Sequence, residues 1–243
     1  MSLPAVFAAV DTPDLAAAEK LAAQLASSSG LGIKLGLEFF CANGGAGVSR
    51  VAAAAPGAAI FLDLKFHDIP NTVAGAVRAV VPLQPTIINV HAAGGPAMMR
   101  AAVAAATEAA QAHGVAKPTV IAVTVLTSLD DTDLQAVGQV GPAADQVVRL
   151  AKLAQECGMD GVVCSSHEIG AIRAACGPSF VLVVPGIRPA GGAVGDQKRV
   201  MTPADAMRAG ASSLVVGRPI TQADDPARAA QEIVGEATGA VAA

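Results

Sequence analysis

Short apolar, β-branched runs recur along the chain and alternate with alanine-rich segments of helical length. Eight runs have strand character: AVFAAV (5–10), GIKLG (32–36), AIFLDLK (59–65), TIINVH (86–91), TVIAVTV (119–125), GVVCS (161–165), FVLVVPG (180–186) and SLVVG (213–217). Most alternate too little for a one-sided antiparallel sheet, so they read as strands covered on both faces, the pattern of a parallel sheet. Helix starts stand between them: Thr12 and Pro13 with Asp14 before LAAAEKLAAQL, Asn71 and Thr72 before VAGAVRAVV, Gly95 and Pro96 before AMMRAAVAAATEAAQAH, Pro142 before AADQVVRLAKLAQE, and Thr202 and Pro203 before ADAMRAG. Proline in a first turn sacrifices no internal hydrogen bond, and a small polar side chain there caps free amides.

Eight strand–helix units of roughly 30 residues each predict an α/β fold of the (β/α)8 TIM-barrel type. With no composition break to mark a linker, residues 1–243 are expected to form a single domain. A doubly wound open sheet is the structural rival. Its usual dinucleotide sign, GxGxxG after the first strand, is missing, and AAVDTPDL stands there instead.

Composition narrows the classes. Hydrophobic residues make up 53% of the chain and charged residues 15%, which excludes a disordered, solvating polymer. Much of the apolar content is alanine, and no uninterrupted apolar stretch reaches the roughly 18 to 20 residues that cross a bilayer. The opening MSLPAVFAAVDTPD lacks the basic region of a signal peptide, so a cytoplasmic protein without membrane association is expected. The four cysteines form no CxxC pair and meet no histidines at zinc spacing, so neither a metal site nor a disulfide framework is expected. A net charge of −4, no long basic run, no Trp or Tyr and only six Phe argue against a nucleic-acid partner.

The candidate chemistry gathers at strand ends. In FLDLKFHDIPNTV (61–73), strand alternation puts Phe61, Asp63 and Lys65 on one face and Leu62 and Leu64 on the other. If the leucines meet the helices, the charged pair points into the barrel. It does so at the C-terminal end of the strand, where the βα loops of barrel enzymes build active sites, and Asp68 follows in the loop. Asp11 closes the first run, Lys34 lies in the second, Asn89 and His91 end the fourth, and Thr127 and Ser128 follow the fifth. His67, His91 and Asn89 are expected as supporting or packing groups, His113 and His167 as surface residues. Any one of these charges has a structural explanation, an ion pair or a turn. Several aimed at one rim, where unpaired charges are costly, point to a site.

The last two βα loops have a different character. After the seventh run comes PGIRPAGGAVGDQKRVMTP (185–203), and after the eighth comes VVGRPI (215–220). In many barrels these loops bind phosphate through backbone N–H groups and a cation. Gly217 permits close backbone approach, and the Arg218 fork matches phosphate oxygens. The longer loop contains Gln197 and has the length and composition of a lid that closes on ligand.

Together, VDTPD (10–14), KLG (34–36), FLDLKFHDIPNTV (61–73), TVLTS (124–128), PGIRP (185–189), GDQKRVMTP (195–203) and VVGRPIT (215–221) resemble the orotidine 5′-phosphate decarboxylase family over nearly the whole chain. DxKxxD alone is shared with wider relatives, whereas the ordered set is specific. The resemblance implies decarboxylation of orotidine 5′-monophosphate to uridine 5′-monophosphate by a homodimeric barrel with two shared active sites, using neither metal nor organic cofactor. It implies that Lys34, Asp63 and Lys65 of one subunit and Asp68 of its partner form an alternating charge array, with Lys65 as proton donor. Asp11 and Lys34 would hold ribose hydroxyls, with Thr72 reaching in from the partner beside Asp68. Thr127 and Ser128 would lie near the pyrimidine, Gln197 would bridge base and phosphate, and Arg188, Gly217 and Arg218 would serve the phosphate. The rivals are a magnesium-dependent sugar-phosphate decarboxylase or aldolase of the same superfamily, and a silent nucleotide-phosphate binding barrel. A lysine at position 34 opposes the first, because a cation there repels a metal ion. The presence of Lys65 opposes the second.

Overall fold

A computed structural model of the chain describes residues 3–189 and 201–239. Eight strands, β1 (Val6–Val10), β2 (Leu31–Leu35), β3 (Ala59–Phe66), β4 (Ile87–His91), β5 (Thr119–Val123), β6 (Gly161–Val163), β7 (Val181–Val184) and β8 (Ser213–Val216), pair in chain order into a closed barrel. Every ladder is parallel, and β8 returns to β1 through Val6↔Leu214 and Ala8↔Val216. The runs expected to reach 125, 165, 186 and 217 leave the ladder earlier. Their last apolar residues, among them Val125, Cys164 and Pro185, line a cavity at the rim instead.

Helices cover the outside. Asp14 caps the helix Leu15–Leu25 by accepting from the N–H groups of Ala16 and Ala17, and Thr202 caps Pro203–Arg208. Gly95–His113 and Ala143–Glu156 follow their expected starts. The helix after β3 begins at Pro70 with Ile69 in the cap position, so Asn71 and Thr72 lie inside its first turn and do not cap it. Extended backbone at Ile69 suits a residue that precedes proline, which explains the earlier start. Three longer helices had no marked start: Leu37–Ala54, kinked at Gly44, then Ile169–Cys176 and Pro226–Gly239.

Strand parity sorts the core in two. Leu62, Leu64 and their equivalents pack against the helices, while Phe7, Phe61, Ile87, Ile121, Val183 and Val215 fill the lumen. Phe7 and Phe61 meet edge to face with centroids 5.7 Å apart. Gly32 makes room for the Phe7 ring, since a Cβ there would lie 2.4 Å from it and 2.9 Å from the Ala59 carbonyl. This apolar plug closes the barrel from below. The polar lumen residues of β2, β3 and β4 therefore form a floor for whatever sits at the C-terminal mouth.

Candidate active site

Lys34 pairs in register with Ala9 and Phe61, directly over the plug, and only 6% of it is exposed. Its Nζ lies 3.0 Å from Asp11 Oδ1 and 3.4 Å from Asp63 Oδ2. Lys65 Nζ lies 2.7 Å from the other Asp63 oxygen, Oδ1. The sequence Asp11, Lys34, Asp63, Lys65 is thus an unbroken row of alternating charge. Gly36 makes part of it possible, because a Cβ there would fall 2.6 Å from Asp11 Oδ1 and 3.2 Å from Lys34 Nζ. The KLG motif owes its glycine to that contact.

Asp63 is 9% exposed, and burial on its own raises a carboxyl pKa. Lys34, Lys65 and Asn89 reverse that effect and hold the group below its ordinary value. The magnitudes agree: an ammonium near 4 Å contributes about 4 kcal/mol at an intermediate dielectric, and two of them outweigh a desolvation penalty of several kcal/mol. Asp63 is therefore a carboxylate.

β3 does not stay regular along this row. Between the pairs Leu62↔Ile88 and Phe66↔Val90 the register slips, and Lys65 adopts a left-handed backbone with φ of 49°. That conformation costs a non-glycine residue about 1 to 3 kcal/mol and persists only where its surroundings impose it. Asn89, wholly buried on β4, accepts from the Lys65 N–H at 2.8 Å and donates to Asp63 Oδ1 at 2.7 Å. Parity along IINVH places Asn89 inward, but no local pattern foretells the bulge that it meets. His91 stacks near His67 with centroids 5.3 Å apart, and burial, His67 and Lys65 lower its pKa, so it is a neutral imidazole.

Above the row opens a cavity of about 410 Å³. Asp11, Lys34, Asp63, Lys65 and Thr127 line it, as do Arg188, Gly217 and Arg218. Arg188 is buried and donates to the Ile187 carbonyl at 2.9 Å, while its N–H bonds to the Met201 carbonyl across the base of the longer loop. Burial and the neighbouring Arg218 both lower the Arg188 pKa, so two guanidinium groups lie close enough to interact. That pairing favours an anion between them. Gln197 lies outside the described residues.

Not every expected residue joins this cavity. Ser128 is exposed in the turn after β5 and does not line it. Asp68 and Thr72 follow the end of β3, are exposed and do not line the cavity either, and the Asp68 carboxylate accepts from the Ile69 N–H at 2.6 Å. With His67, Ile69 and Pro70, Asp68 borders an open depression on the outer face of the rim. Ile69 is 66% exposed there.

Comparison with known proteins agrees with the geometry. Residues 4–233 match the family model described as Orotidine 5′-phosphate decarboxylase / HUMPS family. The chain is 58% identical over 236 residues to a curated orotidine 5′-phosphate decarboxylase of Rhodospirillum rubrum, covering 96% of this chain and 94% of that one. It is 57% identical over 232 residues to the enzyme of the same name from Moorella thermoacetica, covering 95% and 91%. Among solved structures, the orotidine 5′-phosphate decarboxylase of Lactobacillus acidophilus superposes with a TM-score of 0.82 at 37% identity, covering 96% of this chain and 98% of that one.

Proposed function

The chain belongs to the orotidine 5′-phosphate decarboxylase / HUMPS family, and from that premise we propose that it converts orotidine 5′-monophosphate to uridine 5′-monophosphate, a step of pyrimidine nucleotide synthesis. The observation that carries the reading is the row Asp11, Lys34, Asp63, Lys65 in the wall of a cavity that Arg188 and Arg218 also line. The arginines take the phosphate, Asp11 and Lys34 take ribose hydroxyls, and the pyrimidine lies between, with C6 toward Lys65. Thr127 borders the pyrimidine, with Ser128 brought in from the same turn, and Gln197 acts from the longer loop.

Breaking the bond between C6 and the carboxyl carbon leaves the electron pair in the ring plane, where it cannot enter the π system. The barrier falls only if positive charge waits at that spot. Lys65 supplies it, then passes a proton from Nζ to C6 and is reprotonated from solvent. Asp63 holds the ammonium in place and stands against the substrate carboxylate. One preorganised donor supplies about 3 to 4 kcal/mol, whereas enzymes lower barriers by about 8 to 23. Phosphate and ribose contacts remote from C6 must contribute the rest. The reading needs neither metal nor organic cofactor, because the two ammonium groups already occupy both oxygens of Asp63.

The active unit in this reading is a homodimer with shared sites. Asp68 and Thr72 are exposed and do not line the cavity of their own chain, and Asp68 borders a depression together with exposed Ile69. A second copy docked there would cover Ile69 and bring its own Asp68 and Thr72 to this cavity. The protein works in the cytoplasm, a compartment that keeps its four free cysteines reduced. No helix among the described residues is long and apolar enough to cross a membrane.

The test is a spectrophotometric assay of orotidine 5′-monophosphate decarboxylation in EDTA, with the parent protein and Lys65→Ala. The parent turns over in EDTA, and the variant loses about a thousandfold or more. A parent that is inactive would end the assignment, and activity that returns only with magnesium would transfer it to a metal-dependent relative.

A further inference from the structure

We propose that Asn89 is a positioning residue: its single carboxamide holds the Asp63 carboxylate and the Lys65 backbone together, and so sets where the Lys65 ammonium stands in the cavity. The inference rests on the function proposed above and assigns a role to a residue that touches neither substrate nor reacting atoms. Three observations carry it. The Lys65 N–H falls where the β3–β4 register slips, so a side chain takes the place of the missing ladder partner, at 2.8 Å. The same side chain donates to Asp63 Oδ1 at 2.7 Å, the very oxygen that accepts from Lys65 Nζ, also at 2.7 Å. And Asn89 is wholly buried, so no water competes for either bond.

The chemistry of the position excludes the alternatives. It requires an acceptor facing an N–H and a donor facing a carboxylate, on one short rigid stem. An amide offers both without titrating, and each bond fixes the direction of the other. Leucine fills a similar volume but leaves the Lys65 N–H and the left-handed backbone unsupported. Aspartate keeps the acceptor but has a donor only when protonated. The remaining charged or titratable groups around Asp63 are Lys34 on β2, Lys65 on its own strand and His91 on β4, with Asp11 acting through Lys34. None of them reaches the Lys65 backbone. Lysine carries its charge on a long flexible stem, so anchoring its backbone is the direct way to limit where the charge goes. A displacement of about 1 Å at a reacting group can cost about a hundredfold in rate.

The experiment compares the parent, Asn89→Leu and Asn89→Asp. In Asn89→Leu the turnover number falls about a hundredfold, while the dissociation constant of uridine 5′-monophosphate stays within about threefold, because binding is dominated by contacts remote from C6. In Asn89→Asp, two facing carboxyls share one proton that does the work of the amide N–H. Activity then declines as pH rises through the titration of that proton, at lower pH than any decline in the parent. A merely structural asparagine would not create that shift. Asn89→Asp turning over at the parent's rate with the parent's pH profile overturns the proposal, and it decides the matter alone if Asn89→Leu does not fold. A readout without turnover separates this outcome from failure of the functional assignment. The Asp63 carboxyl, followed by carbon-13 NMR, titrates at higher pH in Asn89→Leu than in the parent, because a hydrogen bond that favours the carboxylate is lost. An unchanged titration there also overturns the proposal, whatever the substrate.

Discussion

Asp63 is the residue on which the site's charge balance turns. Its carboxyl is buried, and burial alone would favour the neutral acid, but two ammonium groups and an amide hold it ionised. Its folded-state pKa lies below the unfolded value of about 3.9, so it contributes stability that is present above that pH and lost as pH falls through the folded pKa. Replacing Asp63 by Asn removes that contribution and leaves Lys34 and Lys65 facing a neutral group. Breaking a buried pair in this way costs about 3 to 5 kcal/mol. Asp11 still pairs with Lys34 and Lys65 is partly exposed, which places the expected loss at the lower end, about 3 kcal/mol at neutral pH. Urea unfolding of parent and Asp63→Asn at several pH values checks this: the gap stays constant above about pH 5 and narrows steadily below about pH 4. A gap independent of pH would mean that Asp63 does not titrate out of its ion pairs.

At the scale of elements, much of the barrel is legible in apolar runs. All eight runs are strands, and alternation in FLDLK correctly sends Asp63 to the cavity and Leu62 and Leu64 to the helices. Helix starts at Asp14, Pro142 and Thr202 also read directly, because proline and small polar caps act within one turn. The helix Leu37–Ala54 escapes that reading because Gly44, Gly45 and Gly47 break its pattern, and Gly44 does break it with a φ of 59°. The Lys65 bulge escapes for a different reason. It is imposed across β3 and β4 by Asn89, a partner 24 residues away, and no local propensity encodes it. The short β6 shows a further constraint that a sequence hides. A Cβ at Gly161 would lie 2.2 Å from the Val181 carbonyl oxygen and 2.5 Å from the Val181 Cβ, so β7 approaches β6 more closely than any side chain allows. Gly161→Ala must push two paired strands apart, and overpacking of this kind costs about 1 to 3 kcal/mol. We expect a loss in that range by denaturant unfolding, with turnover per folded molecule largely kept, because Gly161 lies at the start of β6, away from the cavity. An alanine variant as stable as the parent would mean that the strands move apart freely.

The whole molecule raises the question why DLKFHDIPNT carries charged and polar residues of which Asp63 and Lys65 line the cavity and Asp68 and Thr72 do not. Asp63 and Lys65 precede the turn and line the cavity, while Asp68, which borders a depression with exposed Ile69, and Thr72, exposed in the first turn of the next helix, follow it and do not line the cavity. If two chains pair about a twofold axis through this face, one short motif serves two sites, and each site draws on both chains. Genetic complementation measures that arrangement directly. Lys65→Ala and Asp68→Ala homodimers are each expected to be nearly inactive, since each has one defect in both sites. In a hybrid dimer, one site receives both defects and the other receives none. Equal amounts exchanged at random make about half of the dimers hybrid, so about a quarter of the parent's activity returns. Should the mixture remain inactive after mass spectrometry has demonstrated hybrid dimers, Asp68 acts within its own chain, and the loop after β3 must then fold back over its own cavity. The same mixture distinguishes a shared site from mere stabilisation by dimerisation. Two stability defects would not cancel in one site of the hybrid, whereas two segregated active-site defects must.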